Sequence, residues 1–204
     1  MNIAIVSGSH RVESQSGKVA LFIQNMLAQP EFEGVETVLF DLGKKPLPEW
    51  EESKWQGAEK WKLEWEPISN KLKECDALVA VSPEWSGMVP PRLKNFFLLC
   101  DNNELAHKPG LIVAVSSSRG GAYPIAELRM SSYKNTRLLW IPEHVIVRDV
   151  EKVLNETFEA VSKDDKFIQD RLLYGLKLLV AYAKSLINVR ESGIINHEEF
   201  PYGM

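Results

Sequence analysis

Cysteine is scarce in this chain: Cys75 and Cys100 are the two in 204 residues. They lie far apart in apolar surroundings and fit no metal-ligand or redox spacing, so both read as buried thiols to which no chemistry is assigned. Positive charge is not in excess either. With 24 Lys and Arg against 28 Asp and Glu, the net charge is −4 and the pI is near 5.7. No basic stripe is available for a phosphate backbone, so nucleic acid is not an expected partner. Long apolar runs are missing as well: none approaches the ~20 residues of a bilayer span. The first residues run straight into a strand-like segment without a charged leader, so a cytoplasmic protein with no membrane partner is expected. Histidine is sparse and badly spaced for metal. His197 has Glu198 and Glu199 beside it but not the H-E-x-x-H arrangement, so no metal is expected. Ser86 lies in no G-x-S-x-G elbow, which weighs against a hydrolase. What is present is 45% hydrophobic and 25% charged residues, the composition of one globular domain over residues 1–204.

Strand-like and helix-like segments alternate. Ile3 to Val6 is a continuous apolar run suited to a strand buried on both faces, and Val19, Phe22, Ile23, Met26 and Leu27 then recur at helical spacing. Strands are expected at Val35 to Leu42, Asp76 to Ser82 and Leu111 to Val115, with a short fifth at Val145 to Val147. Helices are expected at Ile68 to Glu74, Arg92 to Cys100, from Ile125 onward and from Asp165 to Val189. Pro91 suits a first helical turn, where its missing N–H costs nothing. Buried, non-alternating strands separated by helices imply an α/β fold: a three-layer sandwich with a parallel sheet covered on both faces. Five strands in this length suit a flavodoxin-like order, 2-1-3-4-5, which brings the loops after strands 1, 3 and 4 together at the switch point where such sheets bind ligands.

Those three loops carry the unusual chemistry. Between Gly8 and Lys18, hydroxyls, an arginine and a glutamine precede a helix starting near Ser16. A helix start exposes unpartnered N–H groups and partial positive charge, which suits a phosphate. Ser9, Ser14 and Ser16 add hydroxyls, Gln15 an amide and Arg11 a planar fork for two oxygens. One arginine among neutral donors suits a terminal phosphomonoester. The alternative is a plain turn and N-cap. The loop has neither G-x-x-x-x-G-K-[ST] nor G-x-G-x-x-G spacing. His10 could touch phosphate or simply face solvent.

The second loop, "PEWSGMVPPRLKNFFLLCD", resembles the P-E-Y-N-G-[ST]-[IV]-P-G-x-L-K-N motif of the NADPH-dependent FMN reductase family, matching at Pro83, Glu84, Gly87, Val89, Pro90, Leu93, Lys94 and Asn95. "GSHRVESQS" is similar to that family's G-S-x-R-x-x-S-x-[NS] segment. "SSSRGGAYPIAELR" is similar to its third loop through Gly120, Gly121, Leu128 and Arg129. The three motifs span residues 1 to about 148. The resemblance implies FMN with its phosphate on Ser9, Arg11, Ser14, Gln15 and Ser16. The ring would rest against Pro83, Glu84, Trp85, Ser86 and Gly87, and the loop 116–121 would close the pyrimidine side. Donors from Ser117, Ser118, Gly120 and Gly121 would favour the reduced ring, whose negative charge lies near N1 and the C2 oxygen.

The chain departs from the family pattern at Trp85, Ser86 and Pro91, where Tyr, Asn and Gly are usual, and at Tyr123, where many members carry Arg. Arg119, four residues earlier, could take over contact with the nicotinamide nucleotide or be merely solvated. Trp50, Trp55, Trp61 and Trp65 crowd an insert at about 44–67. A subunit contact is the favoured expectation, with packing over the chain's own sheet and a substrate lid as alternatives. Residues from about 190 to 204 read as an arm on a neighbouring subunit. The resemblance also implies a homodimer or homotetramer. The function expected is hydride transfer from NADPH or NADH to FMN N5, then electrons to a small-molecule acceptor: a quinone, azo compound, free flavin or metal oxyanion. The flavin carries the chemistry, so no side chain is assigned as acid or base. A flavodoxin-like electron carrier and a flavin-free scaffold or regulatory protein are the alternatives.

Overall fold

A computed structural model describes residues 1–155 and 158–203. Five parallel strands form one sheet in the order β2-β1-β3-β4-β5: β1 Asn2–Ser7, β2 Glu36–Asp41, β3 Ala77–Pro83, β4 Pro109–Val115 and β5 Leu139–Val147. The helices are α1 Gln15–Leu27, α2 Glu59–Glu64, α3 Glu66–Lys73, α4 Pro91–Leu99, α5 Ala122–Met130 and α6 Lys163–Arg190. This is the expected flavodoxin-like sandwich. Alternate residues of each central strand feed two separate cores, as a period of two requires. Ile3, Ile5, Val79, Val81, Leu111 and Val113 pack with α1 and α6. Ala4, Val6, Leu78, Ala80, Ile112 and Ala114 pack with the helices of the other face, where Leu72, Leu93, Phe96 and Leu128 meet them.

Three expectations change. β5 covers nine residues, not three, although it contains Pro142. As the outermost strand it tolerates a residue without an N–H, and its register with β4 slips between Gly110 and Ile112. Arg129, read above only as part of a motif, grips this edge: Nη2 donates to the carbonyls of Ile141 at 2.8 Å and Pro142 at 2.9 Å. The tryptophans of the insert do not chiefly await a subunit. Trp61 and Trp65 are buried in the chain's own second core and Trp50 packs against it, while Trp55 stays exposed. The insert also contains α2.

α6 is long and apolar enough by composition to cross a bilayer, but Ile168, Leu172, Leu176, Leu179 and Ala183 are packed into the α1 side of the sheet. Its Ser162 cap accepts from Asp165 N–H at 3.1 Å. Of the arm, residues 190–203 are described, and Arg137 donates to the Phe200 carbonyl, so this stretch lies against its own chain. Both cysteines are buried. Burial pushes the Cys75 thiol up to about 11 and the Cys100 thiol well above its ordinary value, in keeping with inert core thiols.

Candidate functional site

Parallel pairing ends β1, β3 and β4 on one rim, with Ser7 opposite Val81 and Pro83 opposite Val115. The first loop is tied across that rim: Gly8 N–H donates to the Val81 carbonyl at 2.9 Å. Ser9 is buried and its Oγ accepts from Arg11 N–H at 3.1 Å, which folds the loop back on itself. Ser14 then caps α1 in extended backbone, its Oγ accepting from Gly17 N–H at 2.9 Å. The cap engages one first-turn donor and leaves the N–H groups of Gln15 and Ser16 at the helix mouth. Beneath this loop, Ser7 Oγ is fully buried with no hydrogen-bond partner among the described residues, as is rare for a side-chain hydroxyl. A surplus of donors around a positive helix end fits a phosphate group, and these residues could hold one.

The second loop is a two-residue turn. Trp85 and Met88 exchange backbone hydrogen bonds at 3.1 and 2.9 Å, and Ser86 and Gly87 both have positive φ, 51° and 74°. That is the requirement of a type I′ turn, for which Asn-Gly is the favoured pair. The serine at 86 takes a left-handed conformation that asparagine adopts more readily. The Trp85 indole does not stand alone as a platform. It lies 5.0 Å, centroid to centroid, from the His10 ring, and the Arg11 guanidinium carbon is 5.9 Å from its centroid. The first and second loops therefore touch through Trp85, His10 and Arg11. Tyr123, 68% exposed, sits across the turn, its ring within van der Waals distance of where a side chain on Gly87 would begin.

Glu84 joins the second loop to the third. Its backbone N–H donates to Val115 O at 2.9 Å, and its Oε2 accepts from Gly121 N–H at 2.5 Å. Gly121 is the N-cap of α5, with φ 105° and no side chain to cap the helix. The carboxylate of Glu84 does so instead, placing negative charge on the positive helix end. Side chains are excluded from both glycines: a Cβ on Gly120 would stand 2.7 Å from Glu84 Oε1, and one on Gly121 2.3 Å from Ile146 Cγ2. One expectation is corrected here. The Gly121 N–H assigned to a reduced ring is already engaged by Glu84. Ser117, Ser118 and Arg119 are exposed on the same loop, and Arg148 Nε supports it by donating to the carbonyls of Arg119 at 2.9 Å and Gly120 at 3.1 Å.

The candidate residues thus meet on one rim: Ser9 to Ser16, Pro83 to Gly87, and Ser117 to Gly121 with Tyr123. Two matched motif residues have other work. Lys94 pairs with Glu127 at 2.5 Å, and Glu127 also accepts from Val89 N–H at 2.7 Å. Burial pushes the Glu127 carboxyl up, but Lys94 and that N–H outweigh it and hold it below the usual range. Asn95 ties down the insert, accepting from Trp50 N–H at 2.8 Å and donating to Pro48 O at 2.9 Å. Arg92 and Glu84's capping role were missed from sequence. Arg92 occupies a position that any residue can fill in the motif, so only its partners in space reveal it.

The family model for NADPH-dependent FMN reductase matches residues 1–151. No curated protein sequence matches the chain. Among solved structures, FerB, a flavoenzyme NAD(P)H:(acceptor) oxidoreductase from Paracoccus denitrificans, is similar over 90% of this chain and 97% of its own, with TM-score 0.68 and 21% identity. An oxidoreductase from Corynebacterium diphtheriae covers the same shares at TM-score 0.63 and 14% identity. The apo form of the NADH:FMN oxidoreductase EmoB aligns over 90% of this chain and 89% of its own, at TM-score 0.63 and 16% identity. At these identities the three structures establish a shared fold.

Proposed function

Since this chain belongs to the NADPH-dependent FMN reductase family, and is an oxidoreductase working with FMN and NAD(P)H, we propose that hydride passes from the nicotinamide C4 to FMN N5 over the rim of β1, β3 and β4, and electrons then go to a quinone, azo compound, free flavin or metal oxyanion. The observation that carries this reading is the convergence of the three loops, joined by Glu84 to Gly121 and by His10 to Trp85.

The chain's own residues have distinct tasks in this reading. The N–H groups of Gln15 and Ser16, the hydroxyls of Ser9 and Ser16 and the fork of Arg11 hold the phosphate. Ser14 Oγ accepts from Gly17 yet keeps its own O–H to donate. The Ser86–Gly87 turn and Pro83 support the ring, and Trp85 walls the site toward the phosphate loop. Ser117, Ser118 and the N–H of Gly120 serve the pyrimidine side. Arg119 and Tyr123 receive the nicotinamide nucleotide from the open side, where both are exposed. No acid or base is required of the protein, whose contribution is orientation and electrostatics.

A homodimer or homotetramer belongs to the same proposal. An apolar groove of about 350 Å³ between α4 and α5, lined in part by Phe97, Leu98 and Leu128, supports it, with exposed Met130 and Tyr133 close by in sequence. Two inert thiols suit a reducing cytoplasm.

The purified protein should be yellow or become so with added FMN, and should oxidise NADPH continuously with a quinone. A colourless protein in excess FMN would overturn the reading. A yellow protein that leaves NADPH untouched would be an electron carrier. Arg11→Ala should weaken FMN by about 1.5–3 kcal/mol, the range for a hydrogen bond to a charged group, read by flavin fluorescence titration.

A further inference from the structure

Two hydrogen bonds join His10 to Arg92, and a third ties Arg92 to the turn after β2. His10 Nε2 accepts from Arg92 N–H at 3.0 Å. Arg92 Nη1 donates to the His10 carbonyl at 3.1 Å and to the Leu42 carbonyl at 2.9 Å. The first loop, the start of α4 and the turn after β2 are thereby closed into one unit. Arg92 is the second residue of α4, where an N–H has no partner within the helix, so the imidazole acts as a side-chain cap contributed from another loop. Trp85 covers the ring of that imidazole.

We propose that His10 and Arg92 are positioning residues for the cofactor phosphate, an uncharged imidazole and a guanidinium that together clamp the phosphate loop to α4. The proposal rests on the FMN reading above and extends it to two residues outside the phosphate contacts. An imidazole accepting at Nε2 must carry its proton on Nδ1; a second proton would turn the acceptor into a donor facing the Arg92 N–H. The charged group acting on it among the described residues is Arg92 from α4, and Arg11 is its neighbour in the loop itself. Burial, and after it the Arg92 charge, lower the His10 pKa from its ordinary value, which keeps the clamp closed at neutral pH. Acid opens it.

The test compares FMN with riboflavin, which lacks the phosphate, by fluorescence titration of the whole protein. Arg92→Ala should weaken FMN about tenfold, the lower range for a hydrogen bond involving a charged group, and His10→Phe about fivefold, the value of a neutral one, and both should leave riboflavin affinity unchanged. His10→Gln keeps an acceptor at the same reach, so it should bind FMN normally at neutral pH and lose less affinity than wild type toward pH 5. NMR of the cofactor-free protein should show the Nδ1–H tautomer at His10 and a midpoint below 6.5. The clamp is overturned if FMN and riboflavin weaken together, if neither weakens, or if His10 is charged at neutral pH. Wild-type protein that takes up no FMN at all would overturn the functional reading and the clamp with it, whereas wild-type binding with unaffected variants would sink the clamp alone.

Discussion

Of the helices that begin at the functional rim, α1 and α5 have first turns treated in opposite ways. α1 is capped locally by Ser14, a neutral side chain that engages only Gly17 N–H. α5 begins on Gly121, which has nothing to cap with, and receives the carboxylate of Glu84 from another loop. The same backbone physics creates a positive end in both places. At α1 that end is left for an anion; at α5 it is neutralised by the protein itself. One rim can therefore carry a phosphate site at one side and an uncharged-ligand surface at the other, and the difference is made by one glutamate.

Breaking the α5 side should have the largest effect. Gly121→Ala would place a Cβ within 2.3 Å of Ile146 Cγ2 at a backbone φ of 105°. Strain and overpacking together should cost about 3 kcal/mol or more of stability, read by denaturant unfolding. Glu84→Ala should cost about 2 kcal/mol, as a charged hydrogen-bond partner is removed from a part-buried N–H. It should also sharpen the contrast. With the carboxylate gone, sulfate should raise the melting temperature of the variant more than that of wild type, because a second helix end then accepts anions. On the α1 side, Ser14→Ala should cost about 1 kcal/mol, the usual value of an N-cap, in chemical denaturation.

The smallest effect is spread over the whole molecule. Burial, the leading cause at each, lowers the pKa of His10, His107, His144 and His197. The unfolded chain then binds more protons than the native one just below pH 6.5, so stability rises with pH through that window. Acidification from pH 7 toward 5 should lower the melting temperature, and a flat or inverted profile in calorimetry would contradict these environments.

Much of this arrangement was legible along the chain because the strands are buried on both faces and therefore read as continuous apolar runs. Ile3 to Val6 and Leu111 to Val115 needed no knowledge of their neighbours. The three loops announced themselves by residue type, and their meeting followed from the strand order. What could not be read depends on distance in space. Glu84 looks like a ring-site residue until Gly121 is seen beside it. Arg92 has no local signature, since its partners lie 82 and 50 positions away. The fifth strand reads as Val145 to Val147 alone, because sequence does not say which strand is outermost and so free to include Pro142. The tryptophans were ambiguous for a similar reason: whether an aromatic cluster covers its own sheet or a neighbour's is decided by the path of the insert, and Asn95 holds that path by two hydrogen bonds.

The outer border formed by β5 has a meaning for survival at high concentration. Proline at 142 withholds one donor, and the Arg129 guanidinium occupies two adjacent acceptors. A foreign extended segment arriving there finds gaps where it needs a continuous row of partners. On this flank the molecule is guarded against templated fibril growth by the ordinary furniture of its fold.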